Sequence, residues 1–347
     1  MQPIKTAIAS YGMSGMVFHA PLLHVNRGYE IVSFLERSRE NSKTRYPYAR
    51  IETKFDNLCN DNSIELIIVN TPDHTHYELA KKAIMAGKHV VVEKPFTLKY
   101  YEAVELAELA SFKGVILSVF QNRRWDGDFL TVSKVIGQKL LGRLVEYESH
   151  FDRYRNYIQP HTWKEDSSTG TGNLYNLGSH LIDQALVLFG KPEWVNADIR
   201  TMREGGMVDD SFEIWLGYNG IKVSLCSSYL VREPGPRFTL HGTDGSFLKW
   251  GIDPQEERLK QGELPDGVDW GRENEKEWGI INTALNGSQI RGKYETHPGN
   301  YNHFYDNLYN VIRKGDDPDV TPEQAALVIR IIEKAFESNK EGKAVKM

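Results

Sequence analysis

Short apolar runs alternate with helix-period segments through the first 120 residues, a rhythm that predicts a parallel sheet with crossover helices. Ile4 to Ala9 reads as a first strand running into the turn Ser10-Tyr11-Gly12-Met13-Ser14-Gly15, and Tyr29 to Leu35 as a second. Ile64 to Asn70, His89 to Glu93 and Gly114 to Phe120 read as further strands, separated by helices over Tyr77 to Ala86, closed by Gly87, and Lys99 to Lys113. Beyond Asn122 the texture changes. Longer segments alternate inside and outside residues: Leu144 to Asp152, Trp194 to Arg203, Asp210 to Tyr218, Lys222 to Leu230 and Arg237 to His241. That pattern predicts an open, mainly antiparallel sheet with one uncovered face. Asp166 to Gly172 and Pro254 to Asn274 read as polar loops, and Pro322 to Glu341 as a final amphipathic helix.

Bulk properties narrow the partners. A chain of 347 residues with 40% hydrophobic content suits two domains. The net charge of -5, from 42 basic and 47 acidic residues, comes without a basic patch, which argues against nucleic acid. No apolar run reaches the roughly 20 residues of a bilayer span and no secretory pattern opens the chain, so a cytoplasmic protein with no membrane partner is expected. Cys59 and Cys226 lie far apart, in a sequence without a CxxC site or a disulfide framework. His74 and His76 sit two residues apart, but no neighbouring carboxylate or Cys completes a ligand set, so no metal is expected.

The turn after the first strand carries candidate chemistry. A pyrophosphate needs closely approaching backbone and a helix N-terminus with free N–H groups. Gly12 and Gly15 supply the second and third positions of G-x-G-x-x-G, with Met13 and Ser14 between them, while Ser10 stands at the first. Glu36, about twenty residues on at the end of the second strand, fits an acceptor for adenosine ribose hydroxyls. Arg37 and Arg39, with Ser38 between them, fit a 2′-phosphate instead. The signals point both to NAD and to NADP, with the lean toward NADP. A solvated loop remains a third reading of these charges. Thr71 and Pro72 leave the buried strand at its carboxyl end, where ligands of such sheets collect, and His76 starts the next helix close by. The architecture expected is α/β plus α+β: a Rossmann domain with a parallel sheet over residues 1–122 and an α+β domain with a large open sheet over 123–347.

Glu93-Lys94-Pro95 follows the buried run HVVV, placing an ammonium at the rim of the cofactor crevice. A lysine there can exchange a proton with an alcohol as hydride moves, and the Lys94-Pro95 bond is a candidate for the cis form. A plain salt bridge of Glu93 to an arginine is the competing reading.

Four stretches together carry a resemblance: SYGMSGMVFHAPL at 10–22, NTPDHTHYELAKKAIMAGKHVVVEKPF at 70–96, SVFQNRRWDGDF at 118–129 and GTGNLYNLGSHLIDQAL at 170–186. The sequence resembles the Gfo/Idh/MocA family of oxidoreductases over nearly its whole length, and within it the scyllo-inositol dehydrogenase-like branch. The resemblance implies a Rossmann domain, a second domain around an open sheet, and homodimers or homotetramers formed through that sheet. It implies that Lys94 contacts substrate and nicotinamide, and that His180 is the acid/base, a role suited to an imidazole whose unperturbed pKa is near 6.5. Many members carry Asp one turn before this histidine. Here the residue is Asn176, which can hold a substrate hydroxyl but cannot ionise, leaving Asp183 as an orienting group. Asn122 and Arg123 end the last strand of the first domain, where they can meet cofactor or substrate, and Trp163 resembles the aromatic residue that borders the nicotinamide, a core role being the alternative. Tyr301 and Tyr305 fit either phenols reaching a polyol or the packed face of a helix.

The function expected is an NAD(P)-dependent dehydrogenase or reductase acting on CH–OH groups of a sugar, inositol or related polyol. Two alternatives stand beside it: a glycosidase of the same family that oxidises its sugar transiently, and a non-catalytic cofactor-sensing regulator.

Overall fold

The computed structural model describes residues 2–160, 162–166, 171–285 and 287–347, which form two compact units. The first comprises Met1–Trp125, Pro254–Trp270 and Asn300–Ala326. Its sheet has six parallel strands, β1 (Ile4–Ile8), β2 (Tyr29–Leu35), β3 (Arg50–Glu52), β4 (Leu66–Val69), β5 (His89–Val92) and β6 (Leu117–Val119), in the order β3-β2-β1-β4-β5-β6. Every residue of β4 and β6 is buried, as are Val90, Val91 and Val92 of β5, so these strands read as continuous apolar runs rather than alternating ones. The order places the carboxyl ends of β1 and β4 side by side at the centre, where a doubly wound sheet reverses direction and collects ligands.

The helices of this unit are α1 (Ala20–Val25), α2 (Phe55–Asn60), α3 (His76–Met85) and α4 (Tyr100–Lys113), with α7 (Gln255–Lys260) and α8 (Asn302–Lys314) supplied from late in the chain. Gly87 follows α3 at φ +75° and Gly114 closes α4 at φ +66°, the left-handed conformation that suits glycine after a last turn. The stretch Pro254 to Asn274, expected to be loop, contains α7, whose Gln255 and Leu259 are buried.

The second unit comprises Asp126–Asp253, Gly271–Gly299 and Leu327–Met347. Its nine-stranded sheet adds β7 (Leu144–His150), β8 (Trp194–Arg200), β9 (Ser211–Tyr218), β10 (Ile221–Ser228), β11 (Phe238–Gly242), β12 (Gly245–Lys249), β13 (Gly279–Leu285), β14 (Ser288–Tyr294) and β15 (Val345–Lys346), ordered β14-β13-β12-β11-β7-β10-β9-β8-β15. Only β7 and β10 run parallel to each other; the remaining pairs are antiparallel, which gives the mixed, mainly antiparallel sheet the alternation implied. On β7, Tyr147 and Ser149 are buried while Glu146, Glu148 and His150 are partly exposed, so one face packs and the other is more open. Phe189, at the end of α6 (Ser179–Phe189), meets Tyr147 edge to face at 5.2 Å between ring centres, which places α6 on the packed face. Helix α5 (Gly127–Gly137) and the later part of α9 (Pro322–Glu341) complete this unit.

Candidate active site

In the first unit, the Ser10 hydroxyl accepts the Gly12 N–H at 3.1 Å and the Gly12 carbonyl accepts the Met16 N–H at 2.9 Å, folding the turn. Gly12 and Met13 are exposed, Ser14 is half-buried and Gly15 is buried. Gly15 opens a π-helical turn, Gly15–His19, of the kind that recurs at functional sites. A Cβ on Gly15 would stand 2.0 Å from the Ser10 carbonyl oxygen, so only glycine fits. Asn70, just past β4, donates its amide to the Ser10 carbonyl at 2.8 Å and to the Ser14 hydroxyl at 3.3 Å, while its buried Oδ1 has no partner. A glycine-lined turn with exposed backbone at a strand-to-helix junction, braced by the Asn70 amide, fits a dinucleotide pyrophosphate. Asn70 was invisible as a brace in the sequence because its partners lie 56 and 60 residues away.

Glu36 departs from the ribose-acceptor expectation. It is only 9% exposed, and its two oxygens accept the N–H groups of Asn41 (2.9 Å) and Ser42 (3.0 Å), so the carboxylate is already engaged in fixing the turn Asn41–Thr44. Arg37, Ser38 and Arg39 are exposed beside it. Thr71 and Pro72 are half-buried, and the Thr71 hydroxyl bonds that of Thr75 at 2.5 Å. His76 lies inside the unit at 0% exposure, bridging the backbone carbonyls of Pro95 (2.8 Å) and Thr71 (2.9 Å). It is a staple between two loops rather than a surface group.

The Lys94-Pro95 peptide is cis. Lys94 is half-buried, and its backbone N–H is held at 3.0 Å by Glu93 Oε2. Glu93 Oε1 is bonded to His19 Nε2 at 3.0 Å, and His19 Nδ1 to the Tyr305 hydroxyl at 2.6 Å. The partner of Glu93 is thus a histidine, not an arginine. Burial opposes ionisation of Glu93, but the His19 hydrogen bond and the charges of His19, Lys94 and His76 outweigh it and hold the carboxyl below its ordinary range. Tyr305 and Tyr301 are both fully buried, with Tyr301 packed near Phe18 and Tyr305 against Phe120 and Tyr29. Of the two readings, phenols reaching a polyol or a packed helix face, their burial at the start of α8 favours packing. Asn122 and Arg123 are also buried, and the Arg123 guanidinium is paired with Glu256 of α7.

In the second unit, residues 174–178 form another π-helical turn, Leu174–Gly178, leading directly into α6, so Asn176 sits in that turn and His180 at the start of the helix. His180 is 4% exposed and Asp183, one turn on, 2%. The Asn176 amide donates to the Tyr229 hydroxyl at 3.3 Å. Asp209 receives the Leu174 N–H at 2.7 Å, at the head of this turn, and burial pushes its carboxyl up to about 6. Arg203 ties the neighbourhood together: its guanidinium donates to Asp210 at 2.9 Å, to both oxygens of Glu165 at 2.9 and 3.0 Å and to the Tyr157 carbonyl, and lies over the Tyr229 ring. Through Glu165 it anchors the short turn Trp163–Glu165, in which Trp163 is half-buried. Gly170, part of the motif read from the sequence, lies outside the described residues. Among the described residues, no group of three or more His, Cys, Asp or Glu is placed to hold a metal ion, and no helix is long and apolar enough to cross a membrane.

Comparison with known proteins agrees with this layout. Residues 4–121 match the Gfo/Idh/MocA model described as an oxidoreductase family NAD-binding Rossmann fold, and residues 133–347 match the model of the same family's C-terminal alpha/beta domain. The chain is 42% identical to a scyllo-inositol 2-dehydrogenase (NADP(+)) of Bacillus subtilis (strain 168), over 99% of this chain and 95% of the relative. It is 27% identical to a levoglucosan dehydrogenase of Pseudarthrobacter phenanthrenivorans, over 59% and 60% of the two chains. A crystal structure of a Bacteroides fragilis protein is 50% identical and superposes with a TM-score of 0.93 over 100% of both chains. A crystal structure of an oxidoreductase from Bacillus cereus is 37% identical and gives 0.91, over 99% of this chain and 98% of that one. With both of its halves matched in order, the chain belongs to the Gfo/Idh/MocA family of oxidoreductases.

Proposed function

We propose that this protein is an NADP(H)-preferring dehydrogenase that interconverts a carbinol and a ketone on an inositol or a related sugar. The observation that carries the reading is the neighbourhood of two features on one sheet: a glycine-lined phosphate turn after β1, and the half-buried Lys94 after β5, with only β4 between those strands. Similarity to an NADP(+) inositol dehydrogenase over 99% of the chain supports the substrate class.

The nicotinamide, when bound, supplies the hydride acceptor or donor. Gly12, Met13, Ser14 and Gly15 would hold the pyrophosphate, and Thr71 and Pro72 would border the coenzyme. Lys94 would stabilise charge developing on a substrate oxygen, and His180 would take or return a substrate proton. Asn176 would exchange a hydrogen bond with a substrate hydroxyl, and Trp163 would be an aromatic contact of the coenzyme.

Equilibrium titration with NADPH and NADH, followed by absorbance at the nicotinamide band with inositols, inososes and aldoses, tests the reading. Turnover with a polyol is expected; no absorbance change in either direction across the panel refutes it, and release of an aryl aglycone without net coenzyme reduction replaces it with glycoside cleavage. Because Glu36 is turned inward onto backbone amides, the exposed Arg37 and Arg39 are free to meet a 2′-phosphate through charge-assisted hydrogen bonds. Arg37→Ala and Arg39→Ala are each expected to weaken NADPH about tenfold, ~1.4 kcal/mol, and to leave NADH binding unchanged. Equal weakening of both coenzymes in the same equilibrium titration contradicts the assignment. The open face of the nine-stranded sheet is proposed as the contact of a homodimer or homotetramer, an assignment that a one-chain mass in sedimentation removes.

A further inference from the structure

Lys94 stands between two residues that are each pinned by a buried histidine. On one side, Glu93 is held by His19; on the other, the Pro95 carbonyl is held by His76. His76 belongs to the helix that follows directly on its own loop. His19 comes from elsewhere: it is the last residue of the π-helical turn that Gly15 opens, so a single side chain joins the phosphate turn to the lysine. Behind it stands Tyr305 of α8, whose own backbone carbonyl accepts the Tyr29 hydroxyl at 2.7 Å.

Glu93 is ionised and can only accept, so His19 Nε2 carries a proton and donates it. Burial, with the nearby Tyr29 and Glu93, raises the Tyr305 phenol far above its ordinary range, so it keeps its proton and meets His19 Nδ1 as a neutral hydroxyl. The second Glu93 oxygen accepts the Lys94 N–H. His19 and Tyr305 are 0% exposed, and Glu93 8%, so water does not compete for these bonds.

We propose that His19 and Tyr305 are positioning residues for Lys94: through Glu93 they hold the lysine's backbone in one orientation and register it to the coenzyme's phosphate turn. This rests on Lys94 acting at the reacting oxygen. A reacting group displaced by about 1 Å loses on the order of 100-fold in rate, which is the scale of effect the device controls.

The test uses the full chain carrying His19→Leu, His19→Gln or Tyr305→Phe. His19→Leu removes the donor to Glu93; the glutamine amide can still supply one, and phenylalanine deletes a single hydroxyl. We expect His19→Leu to lower kcat about 100-fold with the coenzyme KM nearly unchanged, His19→Gln to recover about tenfold of that loss, and Tyr305→Phe to cost a few-fold. Amide hydrogen exchange at Lys94, measured without substrate, is expected to accelerate about tenfold in His19→Leu while β1 and β4 keep their protection, a contrast that general loosening would not give. Should the wild-type protein turn over no polyol, the proposed function fails and exchange alone decides the positioning role. Unchanged Lys94 exchange in His19→Leu overturns the proposal, as does a glutamine variant no better than leucine in both measurements. If the leucine variant does not fold, Tyr305→Phe decides: faster Lys94 exchange with β1 still protected supports the proposal, and wild-type exchange overturns it.

Discussion

Replacing His180 with alanine is expected to lower kcat about 1,000-fold and to leave NADPH affinity within about twofold of wild type, since a positioned proton carrier typically contributes 10²–10⁴. The imidazole is 4% exposed at the start of α6, and the π-helical turn ahead of it is fixed by Gly172, Asp209 and Tyr229 through bonds that the substitution leaves in place. Binding and turnover are therefore expected to separate. Stopped-flow measurement of the hydride step under saturating substrate gives the direct comparison, and full activity in the alanine variant removes His180 from the mechanism. Because Asn176 cannot ionise, no carboxylate at that position is available to take over the proton.

Lys94→Ala is expected to reduce kcat by about 100- to 1,000-fold, the range found when a preorganised charge or donor facing a developing oxyanion is deleted. Arginine should not restore it, because a planar guanidinium on a different stem does not present the compact ammonium in the same place. The coenzyme turn is formed by other residues, Ser10, Gly12, Gly15 and Asn70, so NADPH titration is expected to give a wild-type curve. Loss of coenzyme binding in step with turnover would instead make Lys94 a coenzyme ligand.

The centre of the first unit's sheet is legible because β4 and β5 are apolar runs, and a run such as HVVV has no other comfortable place than a covered parallel sheet, whereas β3, RIE, carries no such run and is absent from the sequence reading. Strand ends drifted by one to three residues, as at Ile64 to Asn70 against Leu66–Val69, because pairing and not composition sets where a strand stops. The strands β12 to β15 carry little sequence signal for a related reason. β14, SQIRGKY, is largely exposed along its length and is a strand only because β13 lies beside it, while β15 has two residues. The motif residues stood out locally, but their surroundings did not. His19 and Tyr305 lie 286 positions apart, and the inward turn of Glu36 depends on two amides in a segment with no pattern of its own. The phenols of Tyr301 and Tyr305 fit both sugar ligands and helix packing by type, and both are buried in the core.

The first compact unit is discontinuous in the chain, and that bears on how the protein can be made and cut. All six strands are synthesised by Val119, yet α8 and the phenol behind His19 leave the ribosome nearly two hundred residues later. A fragment released after Trp125 would own the entire sheet while exposing the surfaces that α7 and α8 cover and leaving His19 with a vacant neighbour. The nucleotide-binding half is therefore a poor candidate for excision as a cassette, and a fusion or split design that keeps it active has to carry residues 254–270 and 300–326 along with it.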